Sequence, residues 1–325
     1  MHIKIGTRGS KLAMMQTGCV CECLKAAYPE DIFEIVVIST KGDRVQDVAL
    51  NQIGDKGLFV REIEEQLLCG EIQMGVHSMK DMPSECEDGL MFTKAWKRED
   101  PRDVLVLREK KNLNELEEGA VIGTGSLRRG FQLQMLRPDL KIVDIRGNVD
   151  TRLRKMEEQK LDGIVLAAAG LHRLGMQDVI TQYLEPEQMI SACAQGALAL
   201  EIKSDNEDLR EMLDALSDEK SHMEVVAERT FLAEMEGSCH VPVGASCKIV
   251  ERNYTYDAGE NGILSDIIKM RDAVKSGNRI CKVCGIFGTE DGSKLIRAEA
   301  ADADPVIAGK KAAAEIKKNM AELPL

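Results

Sequence analysis

Apolar and polar positions alternate along the first 200 residues in a pattern that predicts repeated strand and helix units. Short apolar runs of strand length are separated by longer runs with helical spacing. This order indicates α/β units around largely parallel sheets, with ligand loops at the carboxyl ends of the strands. The predicted strands are His2–Gly6, Phe33–Ser39, Met74–Ser78, Val104–Leu107, Val121–Gly123, Lys141–Ile145 and Gly163–Ala167. The predicted helices are Lys11–Ala27, Val60–Cys69, Leu127–Arg137 and Val149–Gln159, with candidate caps at Ser10, Ser126 and Asn148.

The pattern changes from Ser221 onward. Ser221 and Glu224 have the spacing of a capping box before a helix that runs toward Glu236. The strands predicted beyond it are Cys247–Val250, Arg279–Phe287 and Leu295–Ala300, and a final helix begins near Val306. We therefore predict a smaller α+β domain, with a polar insertion near residues 252–278.

One short motif occurs twice, as Ile5-Gly-Thr-Arg-Gly-Ser10 and as Ile122-Gly-Thr-Gly-Ser126, each time between a strand and a helix. Two similar lobes facing one cleft would explain the repeat, and chance similarity explains so short a motif equally well. The charged stretch Trp96–Arg102 is a candidate crossover between lobes, and Ser191–Leu200 a candidate return. The predicted domains are a first lobe (1–96 and 197–216), a second lobe (97–196) and a C-terminal domain (217–325).

Composition describes an ordinary globular protein and limits its partners. The 325 residues are 44% hydrophobic and 30% charged, enough for two or three domains. Aromatic residues make up only 3%, which disfavours base stacking, so we predict no nucleic-acid partner. No leader precedes the first strand and no apolar run reaches membrane-spanning length. We predict a cytoplasmic monomer without a membrane partner.

Charge is distributed unevenly. Residues 122–155 contain eight Lys or Arg and three Asp, a local charge of +5 in a chain whose net charge is −12. A basic block inside an acidic protein indicates a local anionic ligand rather than general adhesion to polyanions.

The ten cysteines are predicted to be thiols, because reducing compartments do not sustain disulfide frameworks. Cys281 and Cys284 have metal-type spacing but lack a second ligand pair, and the histidines are dispersed, so we predict no metal site. Cys239 differs from the others because it stands in a loop of glycine and proline after a helical run. A thiol on such a turn is reachable, and nearby cations make it thiolate-like.

Two turns have the composition of anion sites. Gly123–Arg129 places backbone N–H groups, hydroxyls and paired arginines at a helix start, and Ile145–Arg152 repeats this arrangement. We expect both turns to converge on one cleft, with Arg173 and Arg8 as further cations. A solvated helix start with surface arginines is the alternative for either motif alone.

Lys80 and Asp81 stand side by side at the end of a predicted strand. A site that only holds anions gains nothing from Asp81, so this carboxylate is predicted to stabilise a positive charge on a ligand or to accept its N–H groups. A structural salt bridge to a neighbouring arginine is the alternative. Lys56 lies in a loop that is expected to close over the cleft, or is a solvated surface charge.

Eight ordered blocks match a known family over nearly the whole chain. They are Gly6–Ala13, Lys56–Glu62, His77–Asp81, Arg98–Asp103, Gly123–Arg129, Arg146–Asn148, Gln195–Ala197 and the Cys239 loop. In these blocks the chain resembles the porphobilinogen deaminase family, also called hydroxymethylbilane synthase.

The resemblance implies two lobes that face each other like those of a periplasmic binding protein, and a third domain that carries Cys239. It implies a dipyrromethane cofactor, made from two substrate units and bound to Cys239 by a thioether. Four porphobilinogen molecules are then added in turn, with loss of ammonia, before water releases the linear tetrapyrrole hydroxymethylbilane. The implied enzyme is a transferase of tetrapyrrole and heme biosynthesis.

The resemblance also implies roles for single residues. Asp81 matches the catalytic carboxylate, which binds pyrrole nitrogens and stabilises the azafulvenium cation that remains when ammonia leaves. Every pyrrole also carries an acetate and a propionate, which need counterions and donors. The residues expected to bind cofactor and substrate are Arg8, Ser10, Lys56, Ser78, Lys80, Thr124, Ser126, Arg128, Arg129, Arg146, Gly147, Asn148, Arg152, Arg173 and Gln195.

Two other classes of protein compete with this interpretation. A non-catalytic two-lobed binder of a small polycarboxylate needs only the arginine turns, and it leaves Cys239 and Asp81 unexplained. A cysteine acyl transferase would use His240 as its base, but adjacent residues in an extended loop tend to point apart.

Overall fold

The structure is a computed structural model that describes residues 1–40, 60–109, 112–235, 241–251, 279–289 and 294–322. Its strands are β1 (His2–Arg8), β2 (Ile32–Ile38), β3 (Met74–Ser78), β4 (Leu90–Phe92), β5 (Asp103–Leu107), β6 (Val121–Gly123), β7 (Lys141–Val143), β8 (Gly163–Ala167), β9 (Gln182–Leu184), β10 (Leu198–Lys203), β11 (Val243–Glu251), β12 (Arg279–Gly288) and β13 (Leu295–Asp302). Its helices are α1 (Lys11–Ala27), α2 (Arg61–Leu68), α3 (Leu127–Leu136), α4 (Val149–Glu158), α5 (Ala168–Arg173), α6 (Glu207–Asp214), α7 (Glu219–Glu234) and α8 (Pro305–Ala321).

Two of the three sheets formed by the described strands have the same plan. Their strand orders are β2-β1-β3-β10-β4 and β7-β6-β8-β5-β9. In each sheet one strand, β10 or β5, pairs antiparallel with both of its neighbours and runs against the other four. The prediction of largely parallel sheets is therefore confirmed, since four of the five strands in each sheet run in one direction and only the strand in the fourth position is reversed. The reversed strand follows a crossover from the other sheet rather than a strand–helix unit, so its direction is not set by the βαβ rule.

The shared plan explains the repeated motif. The first copy closes β1 and opens α1, and the second closes β6 and opens α3, at equivalent places in the two sheets. Residues 93–102 lead from the first sheet into β5, and residues 185–197 lead back into β10. The two lobes are thus joined by two chain crossings.

Each lobe has its own apolar core. In the first, Val20, Cys21 and Leu24 lie on one face of α1 at helical spacing and pack on Ile3 and Ile5 of β1. Fully burying a side chain of this size contributes roughly 1.5–3 kcal/mol. The second core is built in the same way around β5, β6 and β8. Each lobe is therefore stabilised by its own core, and both lobes border the same cleft.

The C-terminal domain is an antiparallel sheet of order β11-β12-β13 with α7 and α8 packed on it. Phe231 of α7 is fully buried and lies so close to Gly285 of β12 that an added Cβ would come within 2.3 Å of its ring. The predicted fold class, two α/β lobes and a smaller α+β domain, is confirmed. None of the helices in the described residues is long and apolar enough to span a membrane.

One prediction for this domain needs correction. The helix cap is Asp218, whose Oδ1 accepts from the Ser221 backbone N–H at 2.8 Å, so Ser221 lies in the first turn rather than before it. The Ser221 hydroxyl instead accepts from the backbone N–H of Arg98 at 2.9 Å. Cys281 and Cys284 share β12 at odd spacing, so their side chains point to opposite faces of the sheet. The predicted insertion at residues 252–278 lies outside the described residues.

Two buried carboxylates, Glu64 of α2 and Glu201 of β10, lie near each other in the first lobe, away from the basic turns. Glu64 is only 8% exposed, and the fully buried Glu201 of β10 lies within electrostatic range. Burial and, after it, the Glu201 charge raise the pKa of Glu64 to about 7. His77 of β3 places its Nε2 3.2 Å from Glu201 Oε2.

Replacing Glu64 by glutamine should stabilise the protein in alkaline but not in acidic solution. Because the folded-state pKa lies above its ordinary value, ionisation opposes folding, and the cost appears as the pH rises above about 4.5 and is complete above about 7. Thermal unfolding at pH 8 should show Tm higher by about 2–4 °C for Glu64→Gln. No gain is expected at pH 4, and Glu65→Gln, on an exposed carboxylate paired with Arg61 at 3.3 Å, is the control. An equal gain at both pH values would contradict the assignment.

Candidate functional site

The helix starts of the two lobes face each other across a cleft. Lys11 is in the first turn of α1, and its Nζ lies 3.7 Å from Oδ2 of Asp150 in the first turn of α4. Leu12 of the same turn approaches Gly170 of α5. The carboxyl ends of β1 and β8 therefore open toward one space, as in other open α/β sheets.

Three predicted site residues are helix caps. The Ser10 hydroxyl accepts from Ala13 N at 3.3 Å, the Ser126 hydroxyl from Arg129 N at 3.4 Å, and Asn148 Oδ1 from Thr151 N at 2.9 Å. The caps fix α1, α3 and α4 with their positive dipole ends at the cleft. Gly147, just before the third cap, has φ of +118°, and a Cβ there would lie 2.5 Å from the Thr151 side chain, so glycine is required.

Arg128 and Arg129 are both only 6% exposed and meet at one buried carboxylate, Asp103 at the start of β5. Arg128 Nη1 donates to Asp103 Oδ2 at 2.7 Å, and Arg129 donates from Nε and Nη2 to Oδ1 at 3.0 and 2.7 Å. Burial alone would raise the pKa of Asp103, but the two guanidinium groups and a hydrogen bond from Gln195 hold it well below its usual range. Asp103 is therefore a permanent anion that orients two cations.

Gln195 links this group to the first lobe. Its Nε2 donates to Asp103 Oδ1 at 2.9 Å and to Pro101 O at 2.7 Å, while its Oε1 accepts from Lys80 Nζ at 3.1 Å. Gln195 itself is fully buried. Burial lowers the pKa of Lys80 to about 8, although the neighbouring Asp81 opposes this change.

Asp81 ends a 3-10 turn, Met79–Asp81, directly after β3, and it is exposed. Its charge acts on cations of both lobes, because it opposes the lowering of the pKa of Lys80, Arg129 and Arg152. Burial, followed by the charge of Arg129, lowers the pKa of Arg152 to about 10. The structure thus brings one exposed carboxylate into the field of a cation cluster.

Three other basic residues of the second lobe that were predicted to bind ligand are Arg146, Arg152 and Arg173. Arg152 Nε donates to Gly147 O at 2.8 Å, and Arg146 Nε donates to Asp144 Oδ2 at 3.0 Å. Arg173, at the end of α5, donates from Nη2 to Gly196 O at 2.6 Å, which places it beside the return crossing. Burial lowers the pKa of Arg173.

Three further predicted residues lie at strand ends. Arg8 ends β1 and is half-buried, and the Ser78 hydroxyl at the end of β3 accepts from Gln16 Nε2 at 2.9 Å. Thr124, buried just beyond β6, accepts from Ser126 N at 3.2 Å. Lys56 and Cys239 lie outside the described residues. Gly244, five residues beyond Cys239, packs so tightly that an added Cβ would lie 2.8 Å from Arg128 Cδ.

The C-terminal domain is fixed to both crossings by one buried carboxylate, Glu228 of α7. Arg98 donates to it from Nη1 and Nη2 at 2.9 and 2.8 Å. Glu228 also accepts from Ala194 N at 2.6 Å and from Cys247 N of β11 at 2.7 Å. Ala194 has a left-handed φ of 58°, a strained conformation that this hydrogen bond holds beside Gln195.

Sequence reasoning missed Asp103, Glu228 and Gln16 as parts of this arrangement. Asp103 directly precedes an apolar run, which made it resemble a strand boundary rather than a buried anion. Glu228 and Gln16 lie within helices, where a polar residue usually faces solvent. Two adjacent arginines in a helix that packs on a sheet were the available signal, because buried guanidinium groups need a buried anion.

The fold and site define a two-lobed α/β protein with a cationic cleft that contains the exposed carboxylate of Asp81, and with a third domain attached to the crossings. Two family models match the chain: "Porphobilinogen deaminase, dipyromethane cofactor binding domain" over residues 3–211, and "Porphobilinogen deaminase, C-terminal domain" over residues 222–318. The chain belongs to the porphobilinogen deaminase family.

Bacterial relatives agree over most of the chain. The porphobilinogen deaminase of Lachnospira eligens is 51% identical over 315 residues, which cover 96% of this chain and 98% of that protein. That of Clostridioides difficile is 55% identical over 77% of this chain and 84% of its own length. That of Bacillus subtilis is 44% identical over 96% of this chain and 91% of its own length.

Among solved structures, the periplasmic VFT2 domain of Bordetella pertussis BvgS is similar with a TM-score of 0.41 and 16% identity, over 70% of this chain and 92% of that one. The periplasmic aliphatic sulphonate binding protein SsuA of Escherichia coli is similar with a TM-score of 0.38 and 13% identity, over 72% of this chain and 70% of that one. Likenesses this distant say nothing about what this chain binds.

Proposed function

We propose that this chain is a transferase that condenses four porphobilinogen molecules, with loss of ammonia, onto a covalently bound dipyrromethane, and then releases hydroxymethylbilane by hydrolysis. Membership of the porphobilinogen deaminase family supports the reaction. The observation that carries it is the exposed carboxylate of Asp81 among buried and half-buried cations of both lobes. A binder of anions needs the cations alone.

The described part of the cleft fits a dipyrromethane. Each of its two pyrroles carries an acetate and a propionate, and the cleft offers Arg8, Arg146, Arg152, Arg173 and Lys80 together with three helix starts. Guanidinium groups bind carboxylates through two parallel hydrogen bonds, each contributing roughly 1.5–3 kcal/mol. When bound, the cofactor supplies the free α-carbon to which the first substrate is joined.

Asp81 is proposed to accept pyrrole N–H groups and to stabilise the cation that the substrate becomes when its amino group leaves. Because Asp81 is exposed at the end of a 3-10 turn, it is accessible to a ligand in the cleft. Lys80, half-buried and bonded to Gln195, is proposed to bind a substrate carboxylate. Arg128 and Arg129 are proposed to contribute a fixed positive field, since their bonds to Asp103 hold them in place.

The remaining predicted binding residues are proposed to act mainly by placing the helix starts. Ser10, Ser126 and Asn148 cap α1, α3 and α4, Thr124 bonds the Ser126 backbone, and Ser78 bonds Gln16. A cytoplasmic monomer without a nucleic-acid partner stays the prediction from sequence.

Intact mass spectrometry tests the covalent cofactor. The purified chain should be heavier than its sequence by the mass of one dipyrromethane, and Cys239→Ser should lack this addition. Cys69→Ser, which changes an exposed thiol in the first lobe, should keep it. An unmodified active protein, or an addition that survives in Cys239→Ser, would sink the proposal.

A further inference from the structure

Arg229 of α7 reaches out of the C-terminal domain to the chain that directly follows Asp81. Its Nη1 donates to Met82 O at 3.4 Å, and its Nη2 donates to Pro83 O at 2.5 Å and to Ser84 O at 3.0 Å. Three successive carbonyl groups are thus bound by one guanidinium. Met82 N in turn donates to Met79 O at 3.2 Å, which closes the turn that carries Asp81.

The guanidinium is held on its other side by the first sheet. Its carbon lies 5.2 Å from the centre of the Phe92 ring of β4. Among the described residues no carboxylate forms a salt bridge with Arg229, so its hydrogen bonds go to backbone carbonyls. An arginine with such partners fixes the path of a backbone more than it balances a charge.

The residue before Arg229 is the carboxylate that joins the C-terminal domain to both crossings. The side chains of Glu228 and Arg229 therefore extend from one turn of α7 in two directions. Glu228 contacts Arg98, and Arg229 contacts the chain that follows the Asp81 turn. The same helix leads toward residues 236–240, which contain Cys239.

We propose that Arg229 is a positioning residue that fixes the Asp81 turn relative to the C-terminal domain, and so keeps Asp81 in register with a ligand attached to that domain. The proposal rests on the role proposed above for Asp81. Arg229 touches no reacting atom and acts through the backbone of Met82, Pro83 and Ser84. Small displacements of such a group are costly, because a shift of about 1 Å reduces rates by roughly a hundredfold in other enzymes.

The test compares Arg229→Met, which keeps an apolar side chain beside Phe92 but removes the donors, with Arg229→Lys, which keeps the charge and part of the hydrogen bonding. Arg154→Met, on an exposed face of α4, is the control. Holoenzyme is confirmed by intact mass, and then steady-state kinetics with porphobilinogen and backbone amide exchange over residues 79–84 are measured. Arg229→Met should lower kcat at least about tenfold with KM within about threefold, and amide exchange in the turn should become faster. Arg229→Lys should lie between it and wild type.

Wild-type kcat in Arg229→Met, or a lower kcat with unchanged exchange over residues 79–84, would overturn the positioning role. If Arg229→Met does not load cofactor, the same two readouts on Arg229→Lys decide the matter. Failure of the role proposed for Asp81 looks different: it would appear as near-normal turnover in Asp81→Asn, and the exchange result does not depend on it.

Discussion

Asp81→Asn should reduce turnover at least about a hundredfold while the cofactor stays attached, since removing one electrostatic stabiliser of a transition state costs roughly 10²–10³ in kcat in other enzymes. Asparagine has the shape of aspartate but not its charge, so it should still occupy the end of the 3-10 turn. The cation cluster around it would remain, and carboxylates would still bind. The loss should therefore fall on kcat rather than on the mass of the loaded protein.

Steady-state kinetics and intact mass on the same preparation check this expectation. Asp88→Asn, the same change on an exposed carboxylate seven residues away, is the matched control and should behave as wild type. Turnover close to wild type in Asp81→Asn would refute the catalytic role.

The second large effect is expected at Asp103. Asp103→Asn removes the anion that two buried guanidinium groups share, and the free energy of unfolding should fall by about 3–5 kcal/mol, as it does when one partner of a buried ion pair is lost. Because the folded-state pKa is depressed, the contribution of Asp103 is complete above its ordinary value of about 3.8 and fades as the pH falls below it. The free energy of unfolding of Asp103→Asn should therefore fall less between pH 7 and pH 3 than that of the wild type.

Denaturant unfolding at pH 7 and pH 3 measures both parts of this expectation. Glu158→Gln breaks an exposed pair with Arg154 at 2.6 Å and should change stability by less than about 1 kcal/mol. A destabilisation of Asp103→Asn no larger than this control would show that the two arginines find other partners. Equal destabilisation at both pH values would contradict the depressed pKa.

Sequence features that act over a few residues were enough to predict the strands, turns and helix caps around the site. The strand Met74–Ser78 and the caps Ser10, Ser126 and Asn148 lie where the sequence indicates, because strand alternation and capping act over a few residues. The turns at the strand ends follow from these elements. The positions of the candidate cations could therefore be expected before any contact was known.

The side-chain contacts that connect these turns could not be predicted from the sequence, because they join residues far apart in the chain. Asp103 bonds partners 25, 26 and 92 residues away, and nothing adjacent to it in sequence reveals them. Strand β10 contains the buried Glu201, although a glutamate in a sequence usually indicates a position that faces solvent. Strands β4 and β9 have three residues each, too few to show the alternation of apolar and polar residues that identifies a strand. Ser221 fits a capping box, but Asp218 competes for the same helix start. For Asp103, contacts between residues far apart in the chain decided the arrangement.

The reversed strand of the first sheet bears on the order in which this chain can fold as it is synthesised. Strand β10 lies between β3 and β4, and among the described strands it is the only one that pairs with β4. Its residues, Leu198–Lys203, leave the ribosome after the five described strands of the second sheet, which lie between Asp103 and Leu184. Domains generally fold as units during synthesis, starting from the N-terminus. In the part of the chain that the structure describes, the lobe that begins the chain is therefore completed second, and the lobe inserted into it has its five strands first.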